Sequence, residues 1–414
     1  MKILILINLG IALLFLLCYM FQMVYIFVPL FAKKKDHKPT QMHRYAIIIC
    51  ARNEEAVIDD LFKGIYAQDY PSELVDIVLI ADNCTDNTAN RARELGAKVY
   101  ERFDEENIGK GYALDYGLKC IDSEFGEDAY DAFIVFDADN LPEKNFITEI
   151  NKTFSDGYEV VTSYRSSKNY GDSWLSAGSG LWFLRESKCL NGSRAAIGAC
   201  PQVSGTGFLF SNKIKKENGG WPFHTLAEDF EFTCESVTRG KKFGYCADAV
   251  FYDEQVAGFK DAWNQRIRWV KGGLQSFGKY WKKLLRGIFS KNFMSSYDMF
   301  MSLAPAYVIS TLACAVNLIG PIVLVCLGEN VFLAFLPPVL LLLVTYFFVL
   351  IHSILTTITE WKYIKAKKSK KIKYMFTFPI YMLTFIPIAI TAIFKKSIVW
   401  KPIKHKPAGR AFEN

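Results

Sequence analysis

Two rhythms of apolar and polar positions run through residues 45–280. Short continuous apolar runs at 45–50, 75–80 and 133–136 have the length and composition of strands buried on both faces. Polar turns follow them, and then apolar residues at helical spacing: Val57, Ile58, Leu61, Phe62 and Ile65 after the first run, 89–95 after the second, and 112–120 after a short strand at 98–100. Repeated strand-then-helix alternation predicts a parallel sheet with right-handed crossovers. Further strands are expected at 160–164, 208–210 and 243–252, with helices at 173–184, from Glu228 onward, and at 259–277.

The rhythm breaks at both ends of the chain. Residues 3–31 form an apolar run interrupted only by Asn8, Gly10, Gln22 and Pro29, long enough to cross a hydrocarbon core of ~30 Å at ~1.5 Å per residue. It lacks a small-residue cleavage site, so residues 1–32 are expected to be a retained anchor and not a signal peptide. After the domain at 40–278, the mixed apolar and basic positions of 279–300 predict an interfacial amphipathic helix. Residues 301–327 and 331–357 then form a transmembrane hairpin around Gly328-Glu329-Asn330. A basic loop at 358–373 leads to the last apolar run, 374–394. There Pro379 and Pro387 leave two readings open, a crossing or a re-entrant segment. The basic tail at 395–414 favours the second, because a crossing would carry its lysines outside.

Charge sets the orientation. Lys33, Lys34, Lys35 and Lys38 follow the first apolar run and only Lys2 precedes it, which places the central domain in the cytosol of a multi-pass cell-membrane protein. The net charge of +7 gathers beside apolar spans, so membrane lipids account for it and nucleic acid does not. The 10 cysteines show no zinc-like spacing and read as reduced, small hydrophobes.

Candidate chemistry lies where the strands end. Asp137-Ala138-Asp139 closes the 133–136 strand, and such a pair offers hard oxygens to Mg2+ or Mn2+ held jointly with substrate phosphates. Asp82 closes the second strand and is placed to accept hydrogen bonds from a base or ribose. Lys110, between Gly109 and Gly111 at a helix start, is placed to reach a phosphate. Gly205-Thr206-Gly207 either uncovers backbone amides for a sugar or forms an ordinary tight turn. Glu228 and Asp229 enter a helix, where Asp229 suits a general base. Gln265, Arg268 and Trp269 share one helical face, combining an amide, a guanidinium for phosphate and an indole for stacking on a sugar, while Arg266 points away.

In this order the motifs resemble the Asp, Asp-x-Asp, Thr-Glu-Asp and Gln-x-x-Arg-Trp series of membrane-embedded family 2 glycosyltransferases, among them cellulose, hyaluronan and poly-N-acetylglucosamine synthases. The resemblance covers residues 45–280. It implies an α/β GT-A fold with a Rossmann-like mixed sheet, a UDP-sugar donor, a divalent metal and inverting transfer to make a β-linkage. Carried over by position, Asp82 contacts uridine, Asp137 the nucleotide, Asp139 the metal and Arg268 the diphosphate. Asp229 is the base with Glu228 beside it, and Trp269 lies beneath the acceptor. Ala227 departs from the pattern's threonine. Residues 398–402 resemble the gating loop of hyaluronan synthases. The expected function is hexosyl transfer to a growing polysaccharide; the alternatives are a lipid acceptor or a non-catalytic scaffold. No charged residue interrupts the two clear spans, so a polymer path would be short or shared between chains of an oligomer.

Overall fold

The computed structural model describes residues 2–31, 37–396 and 405. Lys33, Lys34, Lys35, the 398–402 segment and the rest of the tail beyond Lys396 except His405 therefore lie outside the described residues.

Helix α1 (Lys2–Phe31) precedes an eight-stranded sheet. Its elements follow in chain order: β1 (Tyr45–Ala51), α2 (Ile58–Tyr66), β2 (Val75–Asp82), α3 (Thr88–Glu94), β3 (Lys98–Arg102), α4 (Lys110–Phe125), β4 (Ala132–Asp137), β5 (Leu141–Pro142), α5 (Phe146–Ser155), β6 (Val160–Ser167) and α6 (Trp174–Arg185). A π-helical turn (Glu186–Asn191) leads to α7 (Gly192–Ala196), β7 (Phe208–Ser211), α8 (Asn212–Asn218), α9 (Glu228–Thr238), β8 (Phe243–Asp253) and α10 (Phe259–Ile288). Strand order is β3-β2-β1-β4-β7-β6-β8-β5. The first four strands are parallel, as their alternation with helices requires, and β7 runs antiparallel to both neighbours. The sheet is thus mixed. β5, which contains Pro142, forms a two-residue antiparallel edge with β8.

The continuous apolar runs are explained by burial on both faces. Ala46 and Ile48 face a core shared with α4, α9 and α10, whereas Tyr45, Ile47 and Ile49 face one shared with α2, α3 and α5.

Five further helices follow among the described residues: α11 (Phe293–Leu303), α12 (Pro305–Cys326), α13 (Val331–Thr359), and the pair α14 (Lys368–Leu383) and α15 (Phe385–Phe394). The expected separate interfacial helix is instead the continuation of α10. Tyr280 and Leu284 pack into the domain core with Met299 and Leu303, leaving Trp281 and Phe289 outward. Segments 2–29, 293–326, 331–359 and 368–394 are each long and apolar enough to cross a membrane, and they associate the chain with one.

The fourth segment lies along the sheet domain. At its start Lys370 Nζ donates to the Gly171 carbonyl (2.6 Å), in its middle Arg266 Nη1 donates to Thr384 Oγ1 (2.6 Å), and just past its end Lys271 Nζ donates to the Lys395 carbonyl (2.7 Å). The start, middle and end of the segment thus all contact residues of the domain, as the re-entrant alternative for 374–394 expects. Arg266 is buried, its guanidinium over Tyr381 and Phe385, so the residue that the helical wheel turned away from the site pins this strap.

The other membrane segments are keyed by polar contacts. Asn8 and Asn317 exchange hydrogen bonds of 3.0 and 2.7 Å between α1 and α12, and Tyr346 donates to the Phe376 carbonyl (3.0 Å), both helix-to-helix contacts. At the junction with the domain, Arg194 makes a bidentate ion pair with Asp298 (2.8 and 2.8 Å), to which Tyr25 also donates (3.0 Å). Arg194 and Asp298 are both buried. Replacing Asp298 by Ala strands a buried guanidinium and is expected to cost about 3–5 kcal/mol. The R194M/D298L pair is expected to lose much less than the two single changes together, as read from unfolding midpoints in detergent.

Candidate active site

Parallel register brings the ends of β1, β2 and β4 level: Cys50 pairs with both Ile80 and Asp137. Asp82 and Asp137 therefore stand at one edge of the sheet, where turns leave backbone and side chains free for a ligand. Asp82 is buried, and its carboxylate accepts from Arg102 Nη1 (2.6 Å) and Asn83 Nδ2 (3.2 Å). Burial pushes its pKa up while Arg102 opposes that rise. Asp137 is ion-paired with Lys110, whose Nζ also donates to the Gly205 carbonyl (2.8 Å). Against the desolvation that burial imposes, Asp137 and Glu228 hold the Lys110 ammonium above its ordinary pKa. Lys110 is thus charged and already engaged by a carboxylate.

The Gly-Thr-Gly turn divides. Gly205 lines the cavity, while Thr206 and Gly207 do not. Thr206 is buried, its hydroxyl donating to Asn140 Oδ1 and accepting from the Asp137 amide (2.9 Å). Gly207 has φ +63, and a Cβ there would lie 2.1 Å from the Phe251 ring. Both residues hold the Asp137 turn in place, so the expectation that they touch an acceptor is corrected.

Glu228 and Asp229 open α9, where the helix dipole favours negative charge. They reach the sheet edge because α4 starts on a glycine: a Cβ at Gly111 would stand 2.0 Å from the Phe223 carbonyl oxygen and 3.3 Å from the Glu228 Cβ. Burial raises the pKa of both carboxylates, and the charge of Asp229 raises Glu228 further, against Lys110 and Arg268. Opposite them, Gln265, Arg268 and Trp269 share the inward face of α10. Trp269 packs edge-on against Phe183 (5.8 Å between centroids). The Nε of Arg268 is buried without an acceptor, a donor in want of an anion.

Several lining residues carried no signal in the sequence. Arg165 pairs with Asp253 through Nε (2.8 Å), and Glu186, on the π-helical turn, accepts from the Ser204 hydroxyl (2.6 Å) within electrostatic reach of Asp229. His405 sits on Glu54 (2.9 Å) at the same edge, so this tail residue lies on the domain's side of the chain. Only tertiary contact assembles these groups. A π-bulge is a recurrent marker of function, yet nothing in the local residue types foretold it.

Asp139 is buried, and its carboxylate accepts from the Glu254 amide (2.8 Å) and Asn140 Nδ2 (3.2 Å). Among the described residues no three His, Cys, Asp or Glu side chains converge as a metal cage. A single hard-oxygen ligand facing a ligand cavity fits Mg2+ or Mn2+, ions that complete their shell with substrate phosphates and water.

All of these groups line one cavity of about 1200 Å³, which continues between α1, α12, α13 and α15. Of the neutral polar residues on α12 and α13, Tyr307 and His352 line it, as does Asn317 while bonded to Asn8, and Tyr346 does not.

A family model described as "Glycosyltransferase like family 2" matches residues 43–272. Among curated proteins, the beta-monoglucosyldiacylglycerol synthase of Nostoc sp. is 26% identical over 284 residues, covering 65% of this chain and 56% of that protein. A probable glycosyltransferase of Bacillus subtilis is 26% identical over 243 residues, 56% of each chain. The chain thus spans a little over half the length of these relatives. Among solved structures, a mannosyltransferase from Pyrobaculum calidifontis in complex with GDP-Man and Mn2+ superposes over 95% of this chain and 100% of its own, with a TM-score of 0.61 at 18% identity. That likeness establishes the GT-A fold.

Thr206→Val removes the hydroxyl that joins Asp137 to Asn140 and leaves only the longer direct bond (3.2 Å) from the Asp137 amide to Asn140 Oδ1. The expected cost is about 1–3 kcal/mol in unfolding free energy, with Thr206→Ser retaining most of the stability.

Proposed function

The chain belongs to the glycosyltransferase-like family 2, whose model spans more than half of it, and from that premise we propose that it is an inverting membrane hexosyltransferase acting from a UDP-sugar onto a lipid hydroxyl. The observation that carries the choice of acceptor is the continuity of the cavity. Its polar end holds Glu228, Asp229 and Arg268, and its other end is walled by Leu16, Ile309, Leu341, Phe348 and Ile386 from the membrane helices. Such walls suit acyl chains, whereas a growing polysaccharide needs polar or aromatic ones along its path. The motifs alone favoured a polysaccharide; the apolar lining moves the reading to a lipid, and the names of the cyanobacterial relatives support that shift.

In the proposed reaction Asp229 takes the proton of the acceptor hydroxyl as its oxygen attacks the anomeric carbon. The bond from that carbon to the diphosphate breaks on the opposite face, and its electron pair leaves with UDP. Arg268, with its unpaired Nε, meets the charge that develops there. Asp82 stands where the uridine would lie and Trp269 beneath the acceptor. Asp139 would hold Mg2+ or Mn2+, which when bound neutralises diphosphate charge. The catalytic domain and the tail face the cytosol.

Purified protein in lipid bilayers with Mg2+ or Mn2+ is expected to release UDP from one of UDP-glucose, UDP-galactose or UDP-N-acetylglucosamine, with a lipid gaining one hexose mass. Asp229→Asn is expected to lower kcat by about 100-fold or more. A sugar ladder in place of a glycolipid would return the acceptor to a polysaccharide. The base works only when ionised and its pKa is raised, so kcat/KM should climb with pH along a limb centred above the ordinary carboxylate range of ~3.9–4.3. Removing the charge that raises Asp229 with Glu186→Gln should move that limb to lower pH, as read from the pH–rate profile.

A further inference from the structure

Apart from Arg52 and the Glu54-bound His405, the lysine and arginines lining the cavity fall into two groups. Lys110, Arg165 and Arg194 are each ion-paired with a carboxylate, Asp137, Asp253 and Asp298 respectively. Arg268 and Arg185 form no ion pair among the described residues. Arg268 stands beside the catalytic carboxylates, where the donor diphosphate is expected. Arg185 ends α6, at the level where the polar part of the cavity meets the membrane helices. Its Nη2 donates to Gln22 Oε1 of α1 (3.0 Å), and its guanidinium lies 5.9 Å from the Trp182 ring. Across the cavity, His352 of α13 is within its electrostatic reach. Its direct partners are thus a neutral amide and an indole; the nearest opposing charge, Glu186, acts on it only at longer range and is offset by Arg194. Such a guanidinium is strongly disposed to bind an anion bidentately.

The next residue turns the other way. Glu186 begins the π-helical turn, holds Ser204 and stands within electrostatic reach of Asp229. One step along the chain therefore leads from a free cation beside the apolar cleft to a carboxylate beside the catalytic base.

From this juxtaposition we propose that Arg185 is an anion seat for the acceptor, and that the acceptor is a phosphate-bearing lipid whose headgroup also carries the hydroxyl presented to Asp229. The inference rests on the lipid-acceptor reading and adds the class of headgroup. The apolar chains occupy the cleft between α1, α12 and α13, the phosphate lies on Arg185, and the hydroxyl-bearing part reaches past Glu186 toward the base. Two unpaired arginines then serve two anions, one on each substrate.

The test compares phosphatidylglycerol, which has a phosphate and hydroxyls, with diacylglycerol of the same chains, which has a hydroxyl and no phosphate. Both are supplied to the full-length protein in neutral bilayers with the donor that supports UDP release. The wild type is expected to prefer phosphatidylglycerol in kcat/KM by roughly tenfold or more, through KM, with the preference shrinking as salt is raised. Arg185→Gln is expected to bring the ratio of the two lipids close to one, and Arg185→Lys to restore part of it. Native mass spectrometry should show phosphatidylglycerol retained by the wild type and lost from Arg185→Gln. Equal use of the two lipids by the wild type, or an unchanged ratio in Arg185→Gln, would overturn the anion seat while leaving lipid glycosylation intact. If neither lipid is glycosylated and a saccharide is elongated, the lipid-acceptor reading itself fails and this inference with it.

Discussion

The buried ion pair of Arg194 and Asp298 sets the position of everything else. Arg194 follows the π-helical turn of the catalytic domain, Asp298 lies on the helix that leads into the membrane hairpin, and Tyr25 of α1 closes the pair from the third side. Three distant parts of the chain meet at one desolvated charge. A buried pair of this kind adds little net stability, but any arrangement that separates its members is strongly penalised. The domain is therefore held at one height and rotation on its membrane helices. That fixed relation lets a single cavity run from the sheet edge to the apolar cleft.

Within that cavity the balance of charge is the organising quantity. Asp82, Asp137, Asp139, Glu228, Asp229 and Asp253 line it together with Glu54, Glu186 and Glu254. Their repulsion is relieved unevenly. Arg102, Lys110 and Arg165 are committed to Asp82, Asp137 and Asp253, which leaves Glu228 and Asp229 facing each other with raised proton affinity. A base in that condition is better matched to neutral pH than an ordinary aspartate. Among the described residues Arg268 and Arg185 line the same cavity without an ion-pair partner.

Part of the apolar surface of the strap formed by α14 and α15 covers the domain, and part, including Phe376, Ile380 and Phe394, is exposed. Tyr381 fits against Gly178, where a Cβ would lie 2.4 Å from its ring, and Ile388, Ala389 and Ala392 pack on Ile267 and Val270 of the helix that carries Arg268 and Trp269. Lipid contact and protein contact draw on the same residue types, and only neighbours distinguish them.

The sequence alone determined the strands, their parallel order at the nucleotide side and the motifs at their ends, because a strand buried on both faces has to be apolar and its polar termination has to mark the sheet edge. It also determined the face of α10, since the helical repeat by itself separates Gln265, Arg268 and Trp269 from Arg266. Tertiary structure decided that Thr206 and Gly207 support Asp137 from behind, that residues 374–394 lie along the domain, and that Arg185, Glu186 and Arg165 enter the site. The physical reason is common to all three. Whether a polar group serves structure or a ligand depends on which partner satisfies its hydrogen bonds and charge, and that partner lies far away in the chain.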